Sequence, residues 1–243
     1  MAYVERSTGG DDILPSGDVV SFTYSPAAGS NRCALITCVA ANLNDQVNTC
    51  WPASLTWGGQ TINRTISVTD NNIHAALYPV FETAIAALSG GSLSVSLVDE
   101  GTNIGTIENM QVIVALYADV EQAFIDTDSV LDAATLTLTT ASGDLVFALM
   151  GSRSDNTPTS ADTVRWDKAG TGAVEDAGSM GTEKTASGTS TQIAFGGSPA
   201  QCAEIAVVMR PAAAAATTSD AGIRNGSDFT TFALKRIVRR YSG

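Results

Sequence analysis

The sequence predicts an all-β protein: a two-sheet antiparallel β-sandwich that is jelly-roll-like, with an extended C-terminal arm. First, about a dozen short apolar or alternating segments follow one another with no helical period between them. Second, turn residues such as Gly-Gly, Asp-Asn-Asn and Ser-Gly-Asp separate these segments. Third, only 16% of the residues are charged, so small hydroxyl side chains fill the polar strand positions.

The individual strands follow from these patterns. Continuous apolar runs within 110–118 and 203–210 predict central strands, whereas the alternating segments 92–98 and 135–140 predict strands with one solvent-facing side. The complete set of predicted strands is 19–24, 33–41, 54–59, 60–68, 73–81, 92–98, 110–118, 135–140, 144–152, 163–167, 190–195 and 203–210.

Two segments depart from the strand pattern. Residues 82–91 predict a single short helix or a turn. Residues 169–190 are rich in glycine, serine and threonine and predict a long surface loop with at most a weak hairpin.

Composition shifts predict the domain organisation. Pro211 ends the last strand, an Ala/Thr linker follows, and the remaining tail is too short for a core of its own. No signal-peptide pattern and no run of 18 apolar residues occurs, so we expect cytoplasmic synthesis and no membrane partner. The predicted parts are an N-terminal segment (1–17), a β-sandwich body (18–211), the linker (212–217) and a C-terminal arm (218–243).

The charge of the arm is opposite to that of the body. Residues 219–243 hold five basic and two acidic residues, whereas residues 1–218 hold eight basic and 23 acidic ones. Such an arm predicts a partner, or a neighbour in an assembly, with an acidic surface. The acidic body argues against direct nucleic-acid binding, which needs clustered lysine and arginine.

The order of several segments resembles a recurring β-sandwich pattern: AGSNRCALITCVA, SLTWGGQTINRT, ASGDLVFALMG and AEIAVVMRPA. It resembles the jelly-roll-type domains of tailed-bacteriophage virion proteins of the head decoration or spike type, which also occur in some bacterial surface proteins. The resemblance covers roughly residues 28–212. Its motifs are structural, since WGGQ is a hairpin and SGD a turn, so they specify fold better than function.

The resemblance implies a non-enzymatic virion structural protein, a capsid decoration (cement) or head-spike protein that docks on neighbouring subunits. Its expected partners are the major capsid protein or other virion proteins, with self-association into a homo-oligomer. The arm is the expected docking segment, because apolar side chains can anchor it and basic ones can steer it onto acidic surface. A strand or helix folded back on the chain's own acidic body is the alternative for this segment. The docking residues are Phe229, Phe232, Leu234, Lys235, Arg236, Ile237, Arg239 and Arg240.

The sequence predicts neither catalysis nor a cofactor. His74 is the only histidine and lacks a nucleophile motif, so we expect an exposed or rim side chain. Asp144 and Glu204 are expected at turns or strand ends. A glycosidase pair stays open as an alternative, because two carboxylates would meet only in the fold.

A metal site is also not expected. Asp126, Asp128 and Asp132 could supply part of a Ca²⁺ shell, but the segment lacks the glycine and terminal glutamate of an EF-hand loop. No CxxC motif occurs, and the four cysteines are expected to be buried free thiols. They are Cys33, Cys38, Cys50 and Cys202.

The tryptophans define the alternative function, a carbohydrate-binding or adhesion module of a tail fibre or cell-surface protein. Trp51 lies in a predicted loop beside Pro52 and is the better candidate for stacking on a ligand. Trp57 and Trp166 fit hairpin and core positions.

Overall fold

A computed structural model of the chain describes residues 1–12, 19–42, 52–69, 73–96, 107–133, 135–153, 159–168, 177–196 and 202–213. The chain divides into two units, Met1–Ala212 and Ala213–Gly243. The first unit contains both the predicted N-terminal segment (1–17) and the predicted β-sandwich body (18–211), and the two together are called the body from here on. The arm (218–243) and all but the first two residues of the predicted linker lie outside the described residues.

The described residues form seventeen β-strands and one short helix. Up to residue 118 the elements are β1 (Ala2–Asp12), β2 (Val19–Thr23), β3 (Cys33–Asn42), β4 (Ser54–Trp57), β5 (Gln60–Asn63), β6 (Ile66–Thr69), β7 (Ile73–Phe81), α1 (Glu82–Ala86), β8 (Ser92–Ser96) and β9 (Ile107–Ala118). The remaining elements are β10 (Thr127–Leu131), β11 (Thr135–Thr139), β12 (Leu145–Arg153), β13 (Thr159–Ser160), β14 (Thr163–Lys168), β15 (Ala177–Thr185), β16 (Ser190–Gly196) and β17 (Cys202–Met209).

These strands build four sheets, and all their pairings are antiparallel. The first outer sheet has the order β2-β8-β4-β5, and the first inner sheet has the order β1-β9-β3-β7-β6. The second inner sheet has the order β10-β17-β12-β15-β14, and the second outer sheet has the order β11-β16-β13. The first two sheets come from β1–β9 (the N-terminal half) and the other two from β10–β17 (the C-terminal half).

Three apolar layers separate the four sheets. The first, which includes Trp57, Tyr78 and Leu116, lies between the first outer and first inner sheets. The central layer, with Leu35 and Phe147, lies between the two inner sheets. The third lies between the second inner and second outer sheets. The inner sheets are therefore covered on both faces, which is why their strands are rich in apolar residues.

The prediction of an all-β antiparallel sandwich is confirmed, but the structure has four sheets rather than two. In β9 and β17, residues facing either side are buried, as the continuous apolar runs predict. Strands β8 and β11 alternate between buried and more exposed positions, as their alternating sequences predict. The helix α1 confirms the predicted short helix after residue 81. Among the described residues no helix is long and apolar enough to cross a membrane.

The prediction of a surface loop at 169–190 is wrong for its second part. Strand β15 occupies Ala177–Thr185 and lies between β12 and β14, with Gly178–Glu183 buried. Its sequence AGSMGTEKT contains no β-branched apolar residue, so period and propensity give no strand signal. Small residues are needed here because large side chains from neighbouring strands cover this strand: the Trp166 ring lies on Gly181.

Three further strands were not predicted, and one of them is the two-residue strand β13 (Thr159–Ser160), which pairs with β16. Strand β1 forms within the predicted N-terminal segment and pairs with β9. Strand β10 forms within the acidic stretch 126–132 and pairs with β17.

Candidate functional site

The predicted docking residues all belong to the arm (218–243). Phe229, Phe232, Leu234, Lys235, Arg236, Ile237, Arg239 and Arg240 lie outside the described residues, as does Trp51.

Arg32 and Glu82 form a bidentate ion pair. The Arg32 Nη2 and Nε atoms lie 2.6 Å and 2.9 Å from the Glu82 carboxylate oxygens Oε1 and Oε2. The Arg32 backbone N–H donates to Oε2, and its Nη1 donates to the carbonyl of Ala27. The guanidinium lowers the pKa of Glu82. The Asn-Arg motif thus fastens the turn before β3 to the start of α1, which is a structural role.

Asp144 and Arg210 form a second bidentate pair, which joins two motifs of the resemblance. Arg210 Nε lies 2.9 Å from Asp144 Oδ1, and its Nη2 lies 3.0 Å from Oδ2. The Asp144 carboxylate also accepts a hydrogen bond from the backbone N–H of Ala141 within the Ser-Gly-Asp turn. Arg210 lowers the pKa of this carboxyl through the hydrogen bonds. The predicted turn role of Asp144 is confirmed.

The two described tryptophans are core residues, as expected. Trp57 is fully buried, stacks on Tyr24 with ring centroids 5.6 Å apart, and donates its indole N–H to the Tyr24 carbonyl. The Gly58-Gly59 turn that follows needs positive φ angles of 51° and 81°, which glycine supplies. Trp166 is 3% exposed and packs on Phe147 at 5.6 Å.

His74 does not lie at an exposed or rim position, so that prediction is wrong. It sits in β7, opposite Ala40 on one side and Thr69 on the other, and it is 1% exposed. Because the strand runs through an inner sheet covered on both faces, the imidazole is shielded from any substrate.

The acidic residues at 126–132 bind backbone amides. Asp126 accepts hydrogen bonds from the N–H groups of Thr127 and Thr139, and Asp132 accepts one from Cys202. Asp128 accepts one from the following residue. Within the described ranges no group of three or more His, Cys, Asp or Glu side chains is placed to hold a metal ion.

Three cysteines are buried free thiols, as predicted: Cys33, Cys38 and Cys202. Cys50 lies outside the described residues. Burial raises the pKa of Cys33 far above its ordinary value, and it raises the pKa of Cys202 to about 12. Neither is a thiolate at neutral pH, so neither is a reactive nucleophile.

This burial makes a testable prediction for thiol labelling. In the native protein Cys33, Cys38 and Cys202 should resist a maleimide reagent, and under denaturing, non-reducing conditions all three should react. Peptide-resolved mass spectrometry measures both states. Labelling of these three in the native protein, or protection after denaturation, would contradict the structure.

A charged cluster lies between the two inner sheets near β1 and β14. Arg165 donates to Glu183 Oε1, and the Tyr117 hydroxyl donates to Glu183 Oε2 at 3.1 Å. The Arg165 guanidinium lies over the Tyr3 ring, 4.3 Å from its centroid. Burial strongly raises the pKa of Tyr117. Both carboxylate oxygens of Glu183 have hydrogen-bond partners, so this residue links the two inner sheets.

A second polar cluster lies in the third apolar layer. Glu204 is inside β17 and fully buried, so the prediction of a strand-end role is wrong. Its Oε1 lies 3.8 Å from the Cys202 sulfur, and its Oε2 has no hydrogen-bond partner among the described residues. Burial raises the pKa of Glu204 to about 8. The apolar run that predicted β17 was itself the signal that its glutamate would be buried.

Neither cluster forms an accessible catalytic pair. Glu183 is neutralised by Arg165, and Glu204 is sealed from solvent, whereas a glycosidase needs two carboxylates facing a sugar. The structure thus defines the class of the chain as an all-β protein of stacked antiparallel sheets. No known family model, curated protein or solved structure matches the chain.

Proposed function

We propose that the chain is a non-enzymatic virion structural protein of a tailed phage, with capsid decoration (cement) or head spike as its role. In this proposal the body is a rigid block and the arm (218–243) docks it on the major capsid protein or on a neighbouring subunit. The protein would be made in the host cytoplasm and would reside in the virion.

The observation that carries the proposal is the opposite charge of the two parts. The arm has a net charge of +3 and residues 1–218 a net charge of −15. Copies of such a chain attract each other arm to body, and they repel body to body. Capsid proteins that carry acidic surface would attract the same arm.

The internal use of charge in the body supports a structural role. Arg32, Arg165 and Arg210 each pair with a carboxylate of the same chain, and Asp126, Asp128 and Asp132 bind backbone amides. These groups fasten turns and sheets to one another. They do not converge on a cleft in the described residues.

The adhesion alternative has less support from the described residues. It needs an exposed aromatic platform or a metal site in the loops. Trp57 and Trp166 are both buried in the core, and the described residues contain no group of three or more possible metal ligands. Trp51 is the remaining tryptophan and lies outside the described residues.

Removal of the arm tests the proposal. A chain that ends at residue 217 should remain folded and soluble, because the last described strand ends at Met209, but it should no longer join particles. The measurement is the copy number in purified particles when the truncated chain is the only one supplied. Circular dichroism of the truncated protein reports whether the fold is intact.

Two sets of substitutions separate the forces in docking. Reversing the charge of Lys235, Arg236, Arg239 and Arg240 should weaken attachment in a salt-dependent way, whereas Phe229→Ala or Phe232→Ala should weaken it at any salt concentration. Normal incorporation of the truncated chain would refute the docking role. Unfolding of the truncated chain would instead place the arm in the body's own core.

A further inference from the structure

The two halves of the body have the same strand order. In the inner sheets β1-β9-β3-β7-β6 corresponds, position by position, to β10-β17-β12-β15-β14. In the outer sheets β2 and β8 correspond to β11 and β16, and β4 corresponds to β13. Only β5 and α1, both in the N-terminal half, lack a counterpart among the described residues.

The register of pairing is also the same in both halves. In the first inner sheet Cys33 lies opposite Tyr117 and Phe81, and in the second Leu145 lies opposite Met209 and Thr185. Counted from these equivalent residues, the pairing of β7 with β6 has the same register as the pairing of β15 with β14. Leu77, four residues before Phe81, faces Ile66, and Gly181, four before Thr185, faces Trp166.

The outer sheets repeat the same geometry. Val20 faces Val95 in the β2–β8 ladder, and Leu136 faces Ile193 in the β11–β16 ladder. All four side chains are buried beneath their own sheet. The equivalence therefore extends from the central layer to both outer layers.

The inner sheets pack on each other reciprocally at their centre, as two copies related by a two-fold rotation would. Strand β7 packs on β12 and β17, and its counterpart β15 packs on β3 and β9, the counterparts of those strands. Strand β3 packs on its own counterpart β12. At that crossing the equivalent residues Val39 and Gly151 meet, since a Cβ at Gly151 would lie 2.7 Å from Val39 Cγ1.

We infer that the body consists of two copies of one structural unit, held together through their inner sheets as the subunits of a dimer are. Each inner face is a docking surface, and its occupant is the other copy. Every described sheet is built from one half alone, and an isolated bridge joins Val120 to Pro211 between the halves. The central apolar layer and the Tyr117–Glu183 and Arg165–Tyr3 contacts make up the interface. Equivalent residues mostly differ in type, which hides the repeat in the sequence.

An exchange of residues in the full chain tests the equivalence of Val39 and Gly151. Val39→Gly alone opens a cavity and Gly151→Val alone overfills the crossing, so each should lower the melting temperature. Because the two positions are equivalent, the double variant should return to within about 4 °C of the parent protein. As a control, Val39→Gly combined with Gly181→Val should show no recovery, because Gly181 is not the residue equivalent to Val39. If the melting temperature of the double variant falls by as much as the two single variants together, the inference is wrong.

Cleavage of the folded full chain tests the two-unit organisation without a core substitution. A protease site inserted after Ala123, which is exposed, cuts between the halves, and one inserted after Ser187 cuts between β15 and β16 within one half. After the first cut the pieces should co-elute at the parent size with an unchanged β-sheet signal in circular dichroism. The second cut should lose that signal, because it detaches β17, which lies between β10 and β12. Equal effects of the two cuts, whether harmless or destructive, would refute two units.

Discussion

Gly181→Ala is expected to destabilise the body by about 3 kcal/mol, within the range for an overfilled core. A Cβ at Gly181 would overlap the six-membered ring of Trp166, which lies directly on this glycine across the β14–β15 ladder. The ring cannot swing away freely, because it is 3% exposed and packs on Phe147. Its indole N–H has no hydrogen-bond partner among the described residues, so packing alone holds the ring in place.

Urea unfolding of the Gly181→Ala protein measures this loss. Gly188→Ala is the matched control, since nothing lies within 4 Å of a Cβ at that position. In a Trp166→Ala background, Gly181→Ala should cost little, because the overlapping ring is gone. If Gly181→Ala and Gly188→Ala cost the same, the Trp166 ring does not lie on Gly181.

The sequence predicts the apolar strands of the inner sheets, but it does not predict the more polar strand β15 that lies among them. The runs at β9 and β17 are apolar on both faces because both faces are covered, so hydropathy alone identifies them. Strand β15 is also buried over Gly178–Glu183, but its residues are mostly small or polar, because it must accommodate Trp166 and form hydrogen bonds to the other inner sheet. Ser179 donates to Gln111 and Glu183 accepts from Tyr117, and these partners lie 68 and 66 residues away.

The roles of the polar residues could likewise be predicted only where they depend on neighbouring residues in the sequence. The Ser-Gly-Asp turn is local, so the role of Asp144 could be predicted, but its partner Arg210 is 66 residues away. Residue type predicts a rim position for His74 and a strand-end role for Glu204, because polar residues are usually exposed. Both lie in inner strands, where position in the sheet determined their burial. The equivalence of the two halves lies in strand order and register and not in residue type, because equivalent residues such as Leu77 and Gly181 share no chemistry.

Glu204 is the residue through which the stability of the body should depend on pH. Its carboxyl group is buried among apolar side chains, opposite Met150 and Val130 in the two neighbouring strands. The equivalent residue in the N-terminal half, opposite Cys38, is Val112, which fits the same position without a polar group. The Cys202 thiol beside Glu204 has its pKa raised to about 12 and stays protonated across the neutral range.

The wild-type body should lose stability as the pH rises from about 4.5 to about 8, because burial raises the pKa of Glu204 to about 8. The unfolded chain releases this proton near pH 4.3, whereas the folded chain keeps it. The folded state therefore binds more protons in this window, and the free energy of unfolding falls by up to about 1.4 kcal/mol per pH unit before levelling off above the folded pKa. Glu204→Leu should be more stable than the wild type throughout, by a margin that widens towards pH 8. Glu204→Gln cannot ionise, so it should also remove this contribution to the pH dependence. It should gain less stability than Glu204→Leu, because it leaves a buried polar group. Urea unfolding from pH 5 to 8 measures all three proteins. A Glu204→Leu advantage that stays constant over that range would show that the buried carboxyl does not titrate as its environment requires.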